Sequence, residues 1–186
     1  AILAETRPLE VYIATGGVVG SMGTFVGNEA RNGGAIALSN RPDATHTGGD
    51  AFLALTSYDF AHPLVFSTNR AHERGGAIYV NRPRIEGPLD GATRVCSFNA
   101  GYAGNDATLA GSAVSVTGSS AFFRNQGEGG GCSLPIGSCP YISCNHYSGH
   151  TATLANGQPS AEGSLFDARD SADIQLFGAR IANNTV

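Results

Sequence analysis

The tetrapeptide Gly-Gly-Ala-Ile occurs twice in this chain, each time after a Phe-x-x-Asn segment. The recurring positions are held by Phe25, Asn28, Gly33, Gly34 and Ile36 in the first copy and by Phe66, Asn69, Gly75, Gly76 and Ile78 in the second. A phrase of this length that recurs within one chain indicates a repeated structural unit. We therefore expect an elongated architecture of stacked units, in which the recurring residues determine shape and carry no chemistry.

Apolar and small residues alternate within each Gly-Gly-Ala-Ile segment, as expected for a strand with one buried face. Ile36 and Leu38 share one predicted face, and Ile78 and Val80 repeat them. Eight prolines and 26 glycines interrupt every window that could form a helix. A strand this short is unstable alone, so it must gain ladder hydrogen bonds from its copy in the next unit. The sequence predicts an all-β fold, a parallel β-helix (β-solenoid) with loop insertions.

Weaker copies extend the repeat beyond residue 80. In our alignment Cys96-Ser-Phe-Asn99 and Phe122-Phe-Arg-Asn125 replace Phe-x-x-Asn, so Asn99 and Asn125 continue the series, and Phe122 is expected on the buried face. Asparagine suits such a turn because it tolerates the left-handed conformation and its amide can bond the equivalent amide of the next unit. Residues 1–186 then form one β-helix domain, expected to be a fragment of a longer solenoid, with a Cys- and Gly-rich, insertion-bearing segment at 126–170.

The cysteines suggest an oxidising compartment. The chain has four, Cys96, Cys132, Cys139 and Cys144, an even number for which one or two disulfides are expected and three complete pairings are open. A zinc site is the alternative, with four tetrahedral ligands from Cys139, Cys144, His146 and His150. The spacing fits no paired knuckle, so we expect disulfides and neither a metal nor a cofactor. A glycosylation sequon begins at Asn183.

Charge is sparse in this chain. Charged residues make up 14% of it and the net charge is −4, which argues against a nucleic-acid partner. No apolar stretch approaches the roughly 18 residues that a membrane span needs. The expected partners are therefore proteins that stack end to end or laterally, and surface glycans.

The pattern Phe-x-x-Asn-x-Ala-x-x-x-Gly-Gly-Ala-Ile resembles the repeat of chlamydial polymorphic outer membrane proteins, which also appears in large secreted proteins of algae and protists. Residues 66–78 match this pattern, and residues 25–36 match it with one residue fewer before the Gly-Gly pair. The resemblance implies a right-handed β-helix that serves as an adhesin or surface spine. It therefore also implies an extracellular or cell-surface location.

An enzyme is the main alternative, because parallel β-helices also serve as polysaccharide lyases and glycoside hydrolases. Such enzymes need carboxylates that converge on one face. The candidates are Asp43, Asp50, Asp59, Asp90, Asp106, Asp167, Asp170 and Asp173. They form no Asp-Asp pair and keep no constant offset from an arginine, so we expect solvated loop carboxylates. The prediction is a non-enzymatic structural or adhesive module that stacks with further solenoid or with partner chains, and a carbohydrate-active enzyme is the alternative.

Overall fold

A computed structural model gives the fold of the chain. It describes residues 2–5, 9–15, 23–39, 51–57, 63–82, 93–119, 121–125, 145–154, 156–158, 160, 164–176 and 179–185. All regular structure in these residues is β, and none of them belongs to a helix that could cross a membrane. The predicted all-β class is confirmed.

The strands form four parallel sheets, numbered here in the order in which the chain first enters them. The first sheet contains β1 (Ile2–Glu5), β5 (Ile36–Ser39), β9 (Ile78–Asn81), β13 (Val114–Thr117) and β16 (Phe166–Arg169). The second contains β2 (Leu9–Thr15), β6 (Ala51–Ser57), β10 (Thr93–Phe98), β14 (Ala121–Asn125) and β17 (Asp173–Leu176). The third contains β3 (Thr24–Val26), β7 (Leu64–Ser67), β11 (Ala100–Ala103), β15 (Asn145–Ser148) and β18 (Ala179–Ala182). The fourth contains β4 (Glu29–Ala30), β8 (Arg70–Ala71) and β12 (Asp106–Ala107), and isolated bridges extend it to Thr151 and Thr185.

The described chain runs through the four sheets in the same order five times, and we call each round a pass. Every strand pairs in parallel with its counterpart one pass away, so Ile36 lies between Ile2 and Ile78 in the first sheet. The predicted stacking of Ile36 on Ile78 is confirmed. Because equivalent residues meet, a short strand that could not stand alone gains ladder bonds on both sides.

The core lies between the first three sheets, whose inward-facing side chains form one buried cluster. Its large members include Ile36, Leu38, Leu53, Leu55, Leu64, Phe66, Ile78, Val80, Val95, Tyr102, Val114, Val116, Phe123 and Tyr147. Burial of each such side chain stabilises the fold by about 1.5–3 kcal/mol. The inward positions therefore account for the apolar members of the repeat.

The prediction that Phe122 lies on the buried face needs correction. Phe123 faces the core and is fully buried, while Phe122 is half-buried, with the guanidinium of Arg124 6.0 Å from its ring centroid. A shift of one residue along a strand exchanges its two faces, and that is the error in the alignment. The segment 126–170 contributes β15 to the third sheet and β16 to the first, and its insertion-bearing character stays a prediction.

Candidate functional site

Four aromatic rings are stacked in one row on the inner face of the third sheet. The row consists of Phe25, Phe66, Tyr102 and Tyr147, with successive ring centroids 4.8, 4.9 and 4.7 Å apart and ring planes within 8° of parallel. This spacing matches the separation of neighbouring strands. Each stacked pair contributes about 0.5–1.5 kcal/mol beyond the burial of its surface. Ile181 follows Tyr147 in the strand register and ends this aromatic row.

A second row, which we call the polar row, lies three residues further along each pass. Its members are Asn28, Asn69, Asn105, His150 and Asn184. Each of the last four donates to the main-chain carbonyl of the aromatic-row residue in the preceding pass: Asn69 to Phe25 (2.9 Å), Asn105 to Phe66 (3.0 Å), His150 to Tyr102 (3.1 Å) and Asn184 to Tyr147 (3.2 Å). The two rows are thus joined at every step from one pass to the next.

The amide oxygens of the polar row accept main-chain N–H groups of the preceding pass. Asn69 Oδ1 accepts from the N–H of Asn28 at 3.1 Å, and Asn105 Oδ1 accepts from that of Asn69 at 3.0 Å. Asn184 Oδ1 accepts in the same way from the N–H of His150 at 3.0 Å. One carboxamide therefore pairs an acceptor and a donor of its neighbour at once, as buried polar groups require.

The structure changes the membership of this row from that in the sequence alignment. Asn105 occupies the third place, whereas Asn99 lies between β10 and β11 and Asn125 ends β14 in the second sheet. The matching phrases are Tyr102-x-x-Asn105, Tyr147-x-x-His150 and Ile181-x-x-Asn184. The first two were missed in the sequence because Tyr replaces Phe, and because His replaces Asn while keeping an N–H donor. The third was recognised in the sequence as a Phe-x-x-Asn unit with Ile in the Phe place, and the structure places Asn184 in the row.

The left-handed conformation expected of the recurring asparagines is found at Asn99 (φ 51°), whereas along the polar row it falls on the residue just before each member. This place is held by Gly27, Thr68, Gly104, Gly149 and Asn183, with φ between 52° and 64°. Gly33 and Gly75 also have positive φ, 63° and 70°, as their place at a tight corner predicts. Gly34 and Gly76 are needed for another reason. A Cβ on Gly34 would lie 2.2 Å from the carbonyl oxygen of Gly76.

The described candidate carboxylates lie on different sheets. Asp106 is in the fourth sheet, Asp167 in the first and Asp173 in the second, and Asp170 follows β16. Asp43, Asp50, Asp59 and Asp90 lie outside the described residues.

Asp167 is the most enclosed of these carboxylates, and it is held by three side chains. It accepts from Ser115 Oγ at 2.9 Å, from Arg74 Nη1 at 3.0 Å and from Arg169 Nε at 2.9 Å. Arg74 lies between β8 and β9 and Asp167 lies in β16, so this ion pair links the connection between the second and third passes to the fifth pass. The surroundings of Asp167 are those of a carboxylate that ties passes together.

Ion pairs line the outer side of the fourth sheet. Arg31 Nε lies 2.7 Å from Glu73 Oε1, and Arg70 Nε lies 3.5 Å from Asp106 Oδ2. Hydrogen bonds from Arg31 and from Asn32 lower the pKa of Glu73 below its usual value. Solvent reaches these pairs, so each contributes about 0.2–1 kcal/mol at most.

The proposed zinc and disulfide residues fall largely outside the described part of the chain. Cys132, Cys139 and Cys144 lie outside it, and only the backbone is described for Cys96 and His146. No cysteine side chain is among those described, and the described residues contain no group of three metal-ligating side chains. His150 is fully buried and its Nε2 lies 3.1 Å from the Tyr102 carbonyl oxygen, so the disulfides and the alternative zinc site stay predictions. Asn183 of the sequon is exposed.

The buried tyrosines predict a loss of stability at alkaline pH. Burial raises the pKa of both Tyr102 and Tyr147 above the usual value. Above pH about 10 the unfolded chain releases these protons and the folded chain keeps them, so stability falls as pH rises by about 1.4 kcal/mol per pH unit for each tyrosine. Urea unfolding at pH 9 and pH 11 would measure the fall. Tyr102→Phe should reduce the fall by about half, and an equal fall in the variant would contradict this explanation.

The fifth pass leaves apolar residues uncovered at the end of the sheets. β16, β17 and β18 are edge strands of the first, second and third sheets. Ile181, at a place that is fully buried in the second, third and fourth passes, is 51% exposed. We call the surface formed by these three strands the open edge. Unpaired strand edges of this kind favour the addition of another strand.

Comparison with known proteins gives one match. A family model of the Chlamydia polymorphic membrane protein (Chlamydia_PMP) repeat matches residues 63–81. This stretch spans β7, β8 and β9 and contains Phe66, Asn69 and the second Gly-Gly-Ala-Ile. The resemblance drawn from the sequence is confirmed over these residues. No curated protein and no solved structure matches the chain.

Proposed function

We propose that this chain is a non-enzymatic structural and adhesive module of the cell surface, built as a right-handed parallel β-helix. The ordered passage of the chain through four parallel sheets supports the β-helix. The repeat match at residues 63–81 supports a surface protein. The observation that carries the proposal is that the aromatic and polar rows use the recurring residues to join one pass to the next. The connections between strands are then the parts that contact proteins or surface glycans.

In this proposal the open edge stacks on further solenoid or on a partner chain. We expect the 186-residue chain to associate as its concentration rises, since association covers Ile181 and the neighbouring edge strands. Ile181→Arg should weaken association by about tenfold or more, because it places a charge in the contact. Sedimentation velocity over a range of concentrations would measure this. Val65→Arg, at a half-buried outward place in the interior strand β7, is the matched control. A chain that stays monomeric at all concentrations would contradict the stacking.

The proposal treats the aspartates as structural. Its support is that the described aspartates lie on different sheets, and that Asp167 is bound by two arginines and a serine. Incubation with polyuronates and with neutral glycans should yield neither unsaturated nor reducing ends. Clear turnover would favour the carbohydrate-active enzyme instead.

A further inference from the structure

Each step of the polar row presents the same pair of main-chain groups to the next pass. The carbonyl of the aromatic-row residue receives an N–H from the following pass at all four steps. The N–H of the polar-row residue is taken by an amide oxygen at three of them. A carboxamide supplies both partners from one side chain, because its nitrogen donates and its oxygen accepts.

In the fourth pass a histidine replaces the asparagine, and this shows which of the two hydrogen bonds, the donor to the carbonyl or the acceptor from the N–H, is kept. The side chain of His150 is not a carboxamide, yet its Nε2 still lies 3.1 Å from the carbonyl oxygen of Tyr102. A carbonyl only accepts, so the imidazole nitrogen must carry the proton in this contact. A side-chain donor to the carbonyl is therefore kept at all four steps of the polar row.

The open edge presents this pair of groups once more. The carbonyl of Ile181 and the N–H of Asn184 stand where Tyr147 and His150 stand one pass earlier. No strand follows β18 in its sheet among the residues that the structure describes. Beside these groups lies the half-exposed side chain of Ile181, at the end of the aromatic row. The edge thus offers one acceptor, one donor and an apolar surface, at the spacing used inside the fold.

We infer that the open edge is a binding site for a parallel strand with a bulky apolar residue and, three residues later, an asparagine. The apolar residue covers Ile181. The carboxamide donates to the Ile181 carbonyl and accepts from the Asn184 N–H. The inference deepens the proposed stacking, on which it rests, by naming the chemistry of the partner. An aspartate at this place would set a carboxylate oxygen against the carbonyl, and a leucine would pair neither group.

Peptides derived from the chain itself test the inference. The probe is a peptide copying residues 63–74, which contains Phe66 and Asn69 but ends before the Gly-Gly-Ala-Ile of the second copy. Two further peptides carry Asn69→Asp and Asn69→Leu. Leucine is uncharged and similar in size to asparagine, so it separates lost hydrogen bonds from charge repulsion. Binding to the 186-residue chain is measured by fluorescence anisotropy, and the contact is located by hydrogen–deuterium exchange.

We expect the unchanged peptide to bind and to protect residues 179–185 from exchange. Both variants should bind about tenfold more weakly or worse, which corresponds to about 1.4 kcal/mol. Equal binding of the three peptides, protection elsewhere in the chain, or no binding would overturn the inference. The peptide brings its own strand, so this result does not depend on whether the chain associates with itself.

Discussion

Gly76→Ala is expected to destabilise the fold by about 3 kcal/mol or more. A Cβ at this place would lie 2.2 Å from the carbonyl oxygen of Ser112 and 2.6 Å from that of Asp106. Both are main-chain atoms of the neighbouring pass, so no side-chain rotation can relieve the overlap. The sheets would have to move apart, which would weaken the ladder bonds around them. The free energy of unfolding from urea titration measures the loss.

Gly101→Ala is the matched control for this change. Gly101 lies in β11, and the nearest atom to its added Cβ would be the Leu64 carbonyl oxygen, at 3.9 Å. This substitution should change the free energy of unfolding by less than about 1 kcal/mol. If the two variants lost the same stability, the close approach of the passes at Gly76 would not be what requires glycine.

Asn69→Leu is expected to lower the free energy of unfolding by about 4 kcal/mol. The change leaves several buried groups without a hydrogen-bond partner, at about 1–3 kcal/mol each. Asn69 is fully buried and donates to the Phe25 carbonyl at 2.9 Å and to Asn105 Oδ1 at 2.8 Å. Its Oδ1 also accepts from the N–H of Asn28 at 3.1 Å. Leucine fills the space but pairs none of these groups.

Asn81→Leu provides the comparison for the polar row. Asn81 ends β9, is half-buried, and reaches Ser39 Oγ at 3.5 Å. Its replacement should cost less than about 1 kcal/mol, because Asn81 is half-buried and its contact with Ser39 Oγ lies at the outer limit of a hydrogen bond. Equal urea midpoints for the two variants would show that Asn69 contributes no more to stability than a half-buried asparagine outside the polar row.

The sequence predicted the fold best where the repeated letters are intact. Phe25 and Phe66, Asn28 and Asn69, and the two Gly-Gly-Ala-Ile segments lie in equivalent places, as expected from their shared phrase. Identical residues stack because each strand pairs with its own copy in the next pass. The stacking of these residues can therefore be predicted from the sequence alone.

The positions of the polar-row residues in the third and fourth passes could not be predicted from residue identity alone. Cys96-Ser-Phe-Asn99 looks closer to the phrase than Tyr102-Ala-Gly-Asn105 does, although the second phrase is the one that joins the rows. The pattern specifies a flat or bulky apolar side chain and an N–H donor, and tyrosine and histidine satisfy these needs with different letters. Phe122 and Phe123 are adjacent, so only the strand register decides which of them is buried.

The corners between strands have a consequence for how such a chain can diversify. Residues 118–120 connect β13 to β14, whereas residues 40–50 make the same connection between β5 and β6, and the strands on either side keep their register. Closing a longer connection costs only about 0.6 kcal/mol for each doubling of its length. Mutation can therefore lengthen or replace the connection between two strands with a small loss in the free energy of unfolding, while the pairing of the strands stays the same.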